Sequence, residues 1–317
     1  MRVLVCFVSL LLLAALVHLR RSRGKRGARQ PLLDAVCAAA LRSVQLAFAV
    51  HGSFQAWVQG SLAQAGLDVQ ELLHAADTDA VLEKRQQLAD FLASLPQRPE
   101  HLAVILPDAA LRRREPPAGL LPDDVDNAEA LCAWAILAGV PRLSIYTRDG
   151  ALERSAEAIA SRLRDSKMVA RAFGGRTPDI CLEACGRTES LRSSSSSSAG
   201  AAPAARPDIY IALWSREHGY PSLVSLAREL CGDVRRGALA PKDVVEACVA
   251  ERLKDPAGRA HPELVVLWDG LACIPEFPPW QLQSAELVQV RPGSRSIGDA
   301  LCRALAEYAA VEKRWGK

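Results

Sequence analysis

The end of the chain combines the side chains best suited to binding phosphate. Arg314-Trp315-Gly316-Lys317 follows a stretch, 303–311, in which apolar residues recur at helical spacing. The Arg314 guanidinium can hold phosphate oxygens in a bidentate manner, and Gly316 leaves its backbone N–H open to an anion because it has no Cβ. This pattern predicts a phosphate-binding tail, and a frayed, solvated chain end is the alternative.

Two further groups of residues could bind anions or metals, and each has a simpler interpretation. Arg112, Arg113 and Arg114 could contact phosphate, but a run of charges in a polar loop is usually solvated. Cys181 and Cys185 form one C-x3-C pair without the second pair or nearby histidine that a zinc site requires. We therefore predict no metal site in this chain.

The charge distribution sets the N-terminal stretch apart from the rest of the chain. The formal net charge is +3, but residues 1–30 hold seven Lys/Arg and no acid, which leaves 32 basic and 36 acidic residues in 31–317. A folded domain that binds nucleic acid needs a basic surface. The mildly acidic body therefore argues against nucleic acid as the main partner. Its length and apolar content are sufficient for a sizeable core.

An apolar run near the N-terminus predicts membrane attachment. Residues 3–19 are interrupted only by Ser9 and His18 and are followed by six basic residues within 20–29. Seventeen residues are at the lower limit for a membrane-spanning helix, so a cleaved signal peptide is the alternative. Basic residues after the run favour an uncleaved single-pass anchor with the bulk of the chain in the cytosol. The nine cysteines, odd in number and mostly in apolar stretches, predict reduced core residues and agree with that compartment.

The spacing of the apolar residues predicts a helical segment followed by an α/β domain. Residues 31–95 keep apolar residues three and four apart, which is typical of helices. From residue 96 onward, short apolar runs alternate with helical stretches. Strands are predicted at 101–106, 142–146, 208–214, 264–267 and 285–290, and helices at 127–138, 150–164 and 222–230. Such alternation predicts one mostly parallel sheet flanked by helices.

A serine run interrupts this domain. Residues 193–198 are all serine and are flanked by Ala, Gly and Pro, so the stretch near 187–206 cannot bury apolar surface. We expect a disordered surface insertion there and no domain boundary. The predicted organisation is a membrane anchor and basic flank at 1–30, a helical juxtamembrane segment at 31–95, and one α/β domain at 96–317.

Four segments resemble the cis-prenyltransferases, and more narrowly the accessory subunits of eukaryotic dehydrodolichyl diphosphate synthase complexes. Three are diffuse apolar patterns: HLAVIL at 101–106; LCAWAILAGV at 131–140 with LSIY at 143–146; and PWQ at 279–281 with AEL at 285–287. The fourth, RWGK at 314–317 after EYAA at 307–310, is specific, because Arg-x-Gly at the extreme C-terminus is the tail motif of that family's complex-forming subunits. The resemblance covers 96–317 and the N-terminal anchor, and it implies a cis-prenyltransferase-like fold.

The residues that perform catalysis in this family are missing from the matching positions. A catalytic member follows its first strand with Asp-Gly-Asn-x-Arg, whose aspartate binds magnesium, whereas this chain has Pro107-Asp108-Ala109-Ala110. After its penultimate strand it has Arg-Thr-Ser-Gly-Glu-x-Arg, whose two arginines bind the incoming diphosphate, whereas this chain has Leu-Trp-Asp-Gly-Leu-Ala-Cys at 267–273. The resemblance therefore implies no catalytic residue and no metal ligand in this chain alone.

By this resemblance, the chain is the non-catalytic subunit of a heteromeric cis-prenyltransferase of the endoplasmic reticulum membrane. The complex makes long-chain polyprenyl diphosphate from farnesyl and isopentenyl diphosphate, for dolichol synthesis and protein glycosylation. The resemblance also implies that the catalytic partner holds Mg²⁺, and that the tail of this chain crosses into the partner's site, where Arg314 and Gly316 would bind isopentenyl diphosphate. Trp280, Phe277 and Leu287 are candidates for the subunit interface or for the core beneath it. The alternatives are a membrane-anchored receptor or scaffold that uses an inactive enzyme fold for binding, and a self-sufficient synthase.

Overall fold

The structure, a computed structural model, describes residues 79–108, 120, 123–191, 206–253, 261–268, 274, 276–283, 285–290 and 296–311. These residues belong to one compact unit that begins at Leu67. The predicted anchor, most of the 31–95 segment, the arginines at 112–114, the serines at 193–198 and the terminal Arg314 and Gly316 lie outside the described residues. Among the helices that are described, none is long and apolar enough to cross a membrane, and the anchor at 3–19 stays a prediction.

The described residues are organised around one seven-stranded sheet with the order β4-β3-β5-β2-β1-β6-β7. All neighbouring pairs are parallel except β3 and β4. The mostly parallel sheet predicted from the sequence is therefore confirmed. The strands are β1 (His101–Leu106), β2 (Arg142–Thr147), β3 (Ile180–Ala184), β4 (Arg187–Leu191), β5 (Ile209–Trp214), β6 (Leu264–Leu267) and β7 (Glu286–Gln289).

The central strands form because their residues are apolar on both faces. Every residue of β1 and of β5 is buried, which is typical of parallel strands covered on both sides. The register places Val104 of β1 beside Ile145 of β2 and Val266 of β6. Because all these strands run the same way, their carboxyl ends meet along one edge of the sheet, which we call the carboxyl edge.

Eight described α-helices precede, connect or follow the strands. They are α1 (Asp79–Ser94), α2 (Asp124–Leu137), α3 (Ala151–Arg154), α4 (Ala156–Asp165), α5 (Lys167–Ala172), α6 (Tyr220–Arg235), α7 (Glu246–Leu253) and α8 (Ile297–Ala310) in the part of the chain that the structure describes. Side-chain caps explain several helix starts, since Asp123, Ser166 and Ser296 each accept a hydrogen bond from a backbone N–H of the first turn.

Helix α8 packs against α2 and against β6 and β7. The contact is close because Gly298, in the first turn of α8, faces the indole ring of Trp134 in α2 so tightly that an added Cβ would overlap the ring. Trp134 itself is fully buried. The last helix of the described chain is therefore held in one position relative to the sheet.

Two expectations from the sequence need correction. The stretch near 187–206 was expected to be a disordered insertion, but Arg187–Leu191 form the edge strand β4. The cysteines were expected to be core residues, but of the six described, only Cys132 and Cys302 are buried, while Cys185 and Cys231 are exposed. All six are free thiols.

Candidate functional site

The carboxyl edge is where sheets of this kind usually bind ligands. There β1 runs into Pro107 and Asp108, and its neighbour β2 runs into Arg148 and Asp149. Pro107 is buried and its side chain has no atom that could ligate a metal ion. Pro107, which follows β1, therefore cannot bind magnesium, which is the role expected of the aspartate in catalytic cis-prenyltransferases.

Asp108, the acidic residue nearest to that position, is already bound by a neighbouring side chain. Its Oδ2 accepts hydrogen bonds from Nη2 of Arg148 at 2.8 Å and from Nε of Arg148 at 3.2 Å. The pKa of Arg148 is raised by this hydrogen bond and by the charge of Asp108. A divalent cation at Asp108 would meet the positive charge of this guanidinium. The described part of the chain also holds no cluster of three or more potential metal ligands, so the described residues do not provide a ligand set for Mg²⁺ here.

The end of β6 also differs from a diphosphate-binding loop. Leu267 and Trp268 open the segment that was compared with the arginine motif, and Trp268 is completely buried, with its backbone N–H donating to the carbonyl of Ile105 at 3.0 Å. Residues 269–273 lie outside the described residues. The two described positions of this segment therefore carry apolar side chains, and neither can bind a diphosphate through a charge.

A cleft of about 590 Å³ lies beside this region, at the ends of β2 and β5. Three arginines and three acids line it together with Gly150, Cys185 and Ser215; the charged residues are Arg148, Arg154, Arg216, Asp149, Glu153 and Glu217. The arginines are engaged locally, since Nη1 of Arg154 donates to the Asp149 carbonyl and Nε of Arg216 donates to Glu217. Because the charges balance, the cleft lacks the excess of positive charge that a diphosphate requires.

Aromatic side chains fill the sheet face beneath the edge. The Tyr146 and Phe277 rings pack edge to face at 5.2 Å, and the Trp214 and Phe277 rings lie 5.8 Å apart. Together with Ala103, Ile105, Ala212 and Val265 they form a continuous buried cluster. Burial raises the pKa of Tyr146 above its usual range, and the nearby Glu276 and Asp108 add to the shift.

The C-terminal end of α8 is the described feature nearest to the predicted tail. The carbonyls of Tyr308 and Val311 accept hydrogen bonds from Nε2 of Gln97, at 2.9 and 2.8 Å. The Tyr308 hydroxyl donates to Glu263, the residue directly before β6. Gln97 and Glu263 precede β1 and β6, so α8 ends at the amino edge of the sheet, opposite the carboxyl edge.

Two curated proteins are similar in sequence to this chain. The "Dehydrodolichyl diphosphate synthase complex subunit nus1" of Schizosaccharomyces pombe is 23% identical over 225 residues, which cover 70% of this chain and 78% of the relative. The subunit of the same name, NUS1, from Saccharomyces cerevisiae is 22% identical over 202 residues, which cover 61% of this chain and 53% of the relative. The chain is related to these complex subunits. The relationship expected from the sequence is thereby confirmed.

Two further comparisons concern protein-family models and solved structures. No protein-family model matches the chain. The crystal structure of lavandulyl diphosphate synthase from Lavandula x intermedia superimposes with a TM-score of 0.45 at 17% identity, over 69% of this chain and 99% of that one.

In this relative of the complex subunits, the three predicted interface residues differ in exposure. Leu287, on the edge strand β7, is 53% exposed, whereas Phe277 is 2% exposed and belongs to the aromatic cluster. Trp280 is half-buried, and its indole N–H has no hydrogen-bond partner among the described residues. Leu287 is thus available to a partner surface, and Phe277 is core.

Two of the contacts described above had no signal in the sequence. Gln97 is one glutamine in a proline-flanked linker, and its acceptors lie 211 and 214 residues further along the chain. Arg148 is separated from Asp108 by 40 residues, and only the pairing of β1 with β2 brings them together.

Proposed function

We propose that this chain is the non-catalytic subunit of a heteromeric cis-prenyltransferase, and that the complex makes long-chain polyprenyl diphosphate from farnesyl and isopentenyl diphosphate. The observation that carries the proposal is the state of the carboxyl edge. Pro107 occupies the place of a metal-binding aspartate, and the carboxylate of Asp108 is held by Arg148. A chain related to synthase-complex subunits, whose described carboxyl edge offers no set of metal ligands, would need a second subunit for the chemistry.

The position of the helix end supports a role for the tail in the partner's site. Arg314 is three residues beyond Val311, and an extended chain advances at most about 3.3–3.6 Å per residue. Starting at the amino edge, the Arg314 backbone can travel about 10 Å, whereas a six-residue strand such as β1 is about 20 Å long. The backbone at Arg314 therefore falls short of this chain's own carboxyl edge, and a site on a neighbouring subunit is the better target.

In that site the tail would supply two kinds of contact. The Arg314 guanidinium would bind oxygens of isopentenyl diphosphate in a bidentate manner, and the backbone N–H of Gly316 would donate to the same group. The catalytic subunit would hold the Mg²⁺ that neutralises the departing diphosphate. The anchor at 3–19 would keep the complex at the endoplasmic reticulum membrane, with the domain in the cytosol, where the product serves dolichol synthesis.

A reconstitution experiment tests this proposal. We expect the purified chain alone to show no transfer of radiolabelled isopentenyl diphosphate to farnesyl diphosphate, and addition of a catalytic cis-prenyltransferase subunit to produce long-chain product at a rate above that of the partner alone. Pro107→Asp should not make the isolated chain active, because Asp108 remains bound to Arg148 and the arginine pair of the second loop is missing. Turnover by the isolated chain would contradict the proposal, and a complex no faster than the partner alone would favour a scaffold.

A further inference from the structure

The last described helix ends without a left-handed cap. Helices commonly end at a glycine in the left-handed conformation, which lets the following backbone satisfy the free carbonyls of the last turn. Here the residue after α8 is Val311, which has φ −74° and ψ 128° and is therefore extended. Its own N–H returns to the Tyr308 carbonyl. Because the carbonyls of a last helical turn have no partner within the helix, donors from outside the helix can bind there.

Gln97 supplies two donors to this helix end from a distant part of the chain. Its Nε2 reaches the carbonyls of Tyr308 and Val311 at 2.9 and 2.8 Å. Since both partners are acceptors, the amide nitrogen must face the helix end, and both of its hydrogens are used. One of these bonds lies inside the last helical turn, and the other lies on the residue from which the tail departs.

A second contact fixes the same helix end to the sheet. Oε2 of Glu263 accepts from the Tyr308 hydroxyl at 3.2 Å and from the backbone N–H of Glu100 at 2.8 Å. Glu263 is in turn held by its backbone between His101 of β1 and Glu286 of β7. The linker before β1, the start of β6 and the end of α8 therefore form one connected group.

We propose that Gln97 is a positioning residue for the C-terminal tail: it fixes the backbone at Val311 and so sets the direction in which residues 312–317 leave the domain. The inference rests on the proposed role of the tail in binding isopentenyl diphosphate. The tail can bind its target only when the backbone at Val311 directs it there. If that backbone were mobile, Arg314 would reach its target in a smaller fraction of complexes. Gln97 itself touches no substrate.

Three variants in the complex with a catalytic subunit test this role. Gln97→Glu keeps the size of the side chain but removes both donors, and it should raise the KM for isopentenyl diphosphate roughly tenfold while changing kcat much less. Gln97→Lys restores donors at a helix C-terminus, where a positive charge is favourable, and should return KM to within about threefold of wild type. Gln86→Glu makes the same change on α1, where the amide donates to Asp90 of the same helix, and should leave KM unchanged.

A double-mutant cycle separates positioning from a general structural effect. If Gln97 acts through the tail, Gln97→Glu should have little further effect in a complex that already carries Arg314→Ala. An equal loss in both backgrounds, or a wild-type KM for Gln97→Glu while Arg314→Ala is impaired, would overturn the positioning role and leave the proposed function standing. Wild-type kinetics for Arg314→Ala alone would instead overturn the role of the tail, and the positioning role with it. Thermal melting and gel filtration of each complex show that every variant is folded and assembled.

Discussion

Replacing Gly298 by alanine should destabilise the protein, although alanine is the better helix former. A Cβ at this position would overlap three atoms of the Trp134 ring, which is 1% exposed and closed in by the core. Forcing a methyl group into a packed core costs about 1–3 kcal/mol, and a clash with ring atoms belongs at the upper end of that range. The helical preference of alanine returns about 1 kcal/mol. We therefore expect a net loss of about 2 kcal/mol in the free energy of unfolding.

Gly232 of α6 provides the matched control for this substitution. Its added Cβ would approach the Arg236 guanidinium, with Nη1 at 3.2 Å and Cζ at 3.9 Å, and this group is the flexible end of an exposed side chain. Gly232→Ala should stabilise the protein by about 0.5–1 kcal/mol. Urea unfolding followed by far-UV circular dichroism measures both changes, and Trp134→Phe combined with Gly298→Ala should recover about 1 kcal/mol relative to additivity. A Gly298→Ala variant as stable as wild type would refute the close packing of α8 on α2.

Two further predictions concern other parts of the chain. The free energy of unfolding should fall as the pH rises above about 8.5. Burial raises the pKa of the Cys132 and Cys302 thiols, and the charges of Glu129 and Asp299, respectively, add a smaller contribution. The unfolded chain therefore loses these protons at a lower pH than the folded chain, which favours unfolding. Urea titrations near pH 7.5 and pH 9.5 measure the decline, and a Cys302→Ala variant with an identical decline would contradict this cause. The predicted membrane orientation places the domain in the cytosol, so a glycosylation acceptor engineered into 193–198 should stay unmodified. An acceptor on an added N-terminal extension should be glycosylated. Gel shifts measure both, and the reverse pattern would show the opposite orientation.

The sequence predicted the strands built around a short apolar run and missed the two in which charged residues interrupt that run. The predicted bounds lie within one or two residues of the observed bounds for five strands: β1, β2, β5, β6 and β7. In a chain where short apolar runs alternate with helical stretches, such a run is typical of a buried strand. β3 and β4 were missed because Glu183, Arg187 and Glu189 interrupt the pattern. Glu183 is nevertheless buried, and its carboxylate accepts a hydrogen bond from the Tyr210 hydroxyl of the adjacent strand. Such a partner is known only once the strands are paired.

The candidate site shows the same division between local and long-range information. The replacement of the metal-binding aspartate by Pro107 is visible in the sequence. The engagement of Asp108 by Arg148 is not, because it depends on which strand lies beside β1. Likewise, the tail motif can be read from residues 314–317, but the amino-edge position of the helix that carries it follows from the contacts of Gln97 and Glu263.

Removal of residues 314–317 from the otherwise intact complex tests the central claim most directly. The four residues follow the last described helix and leave its contacts with α2 and the sheet in place, so folding and assembly with the catalytic subunit should be unchanged. Loss of a charge-assisted contact to a diphosphate costs about 1.5–3 kcal/mol, which predicts a drop in kcat/KM for isopentenyl diphosphate of roughly tenfold to a hundredfold. Steady-state kinetics indistinguishable from those of the wild-type complex would contradict the claim and leave the tail as a solvated chain end.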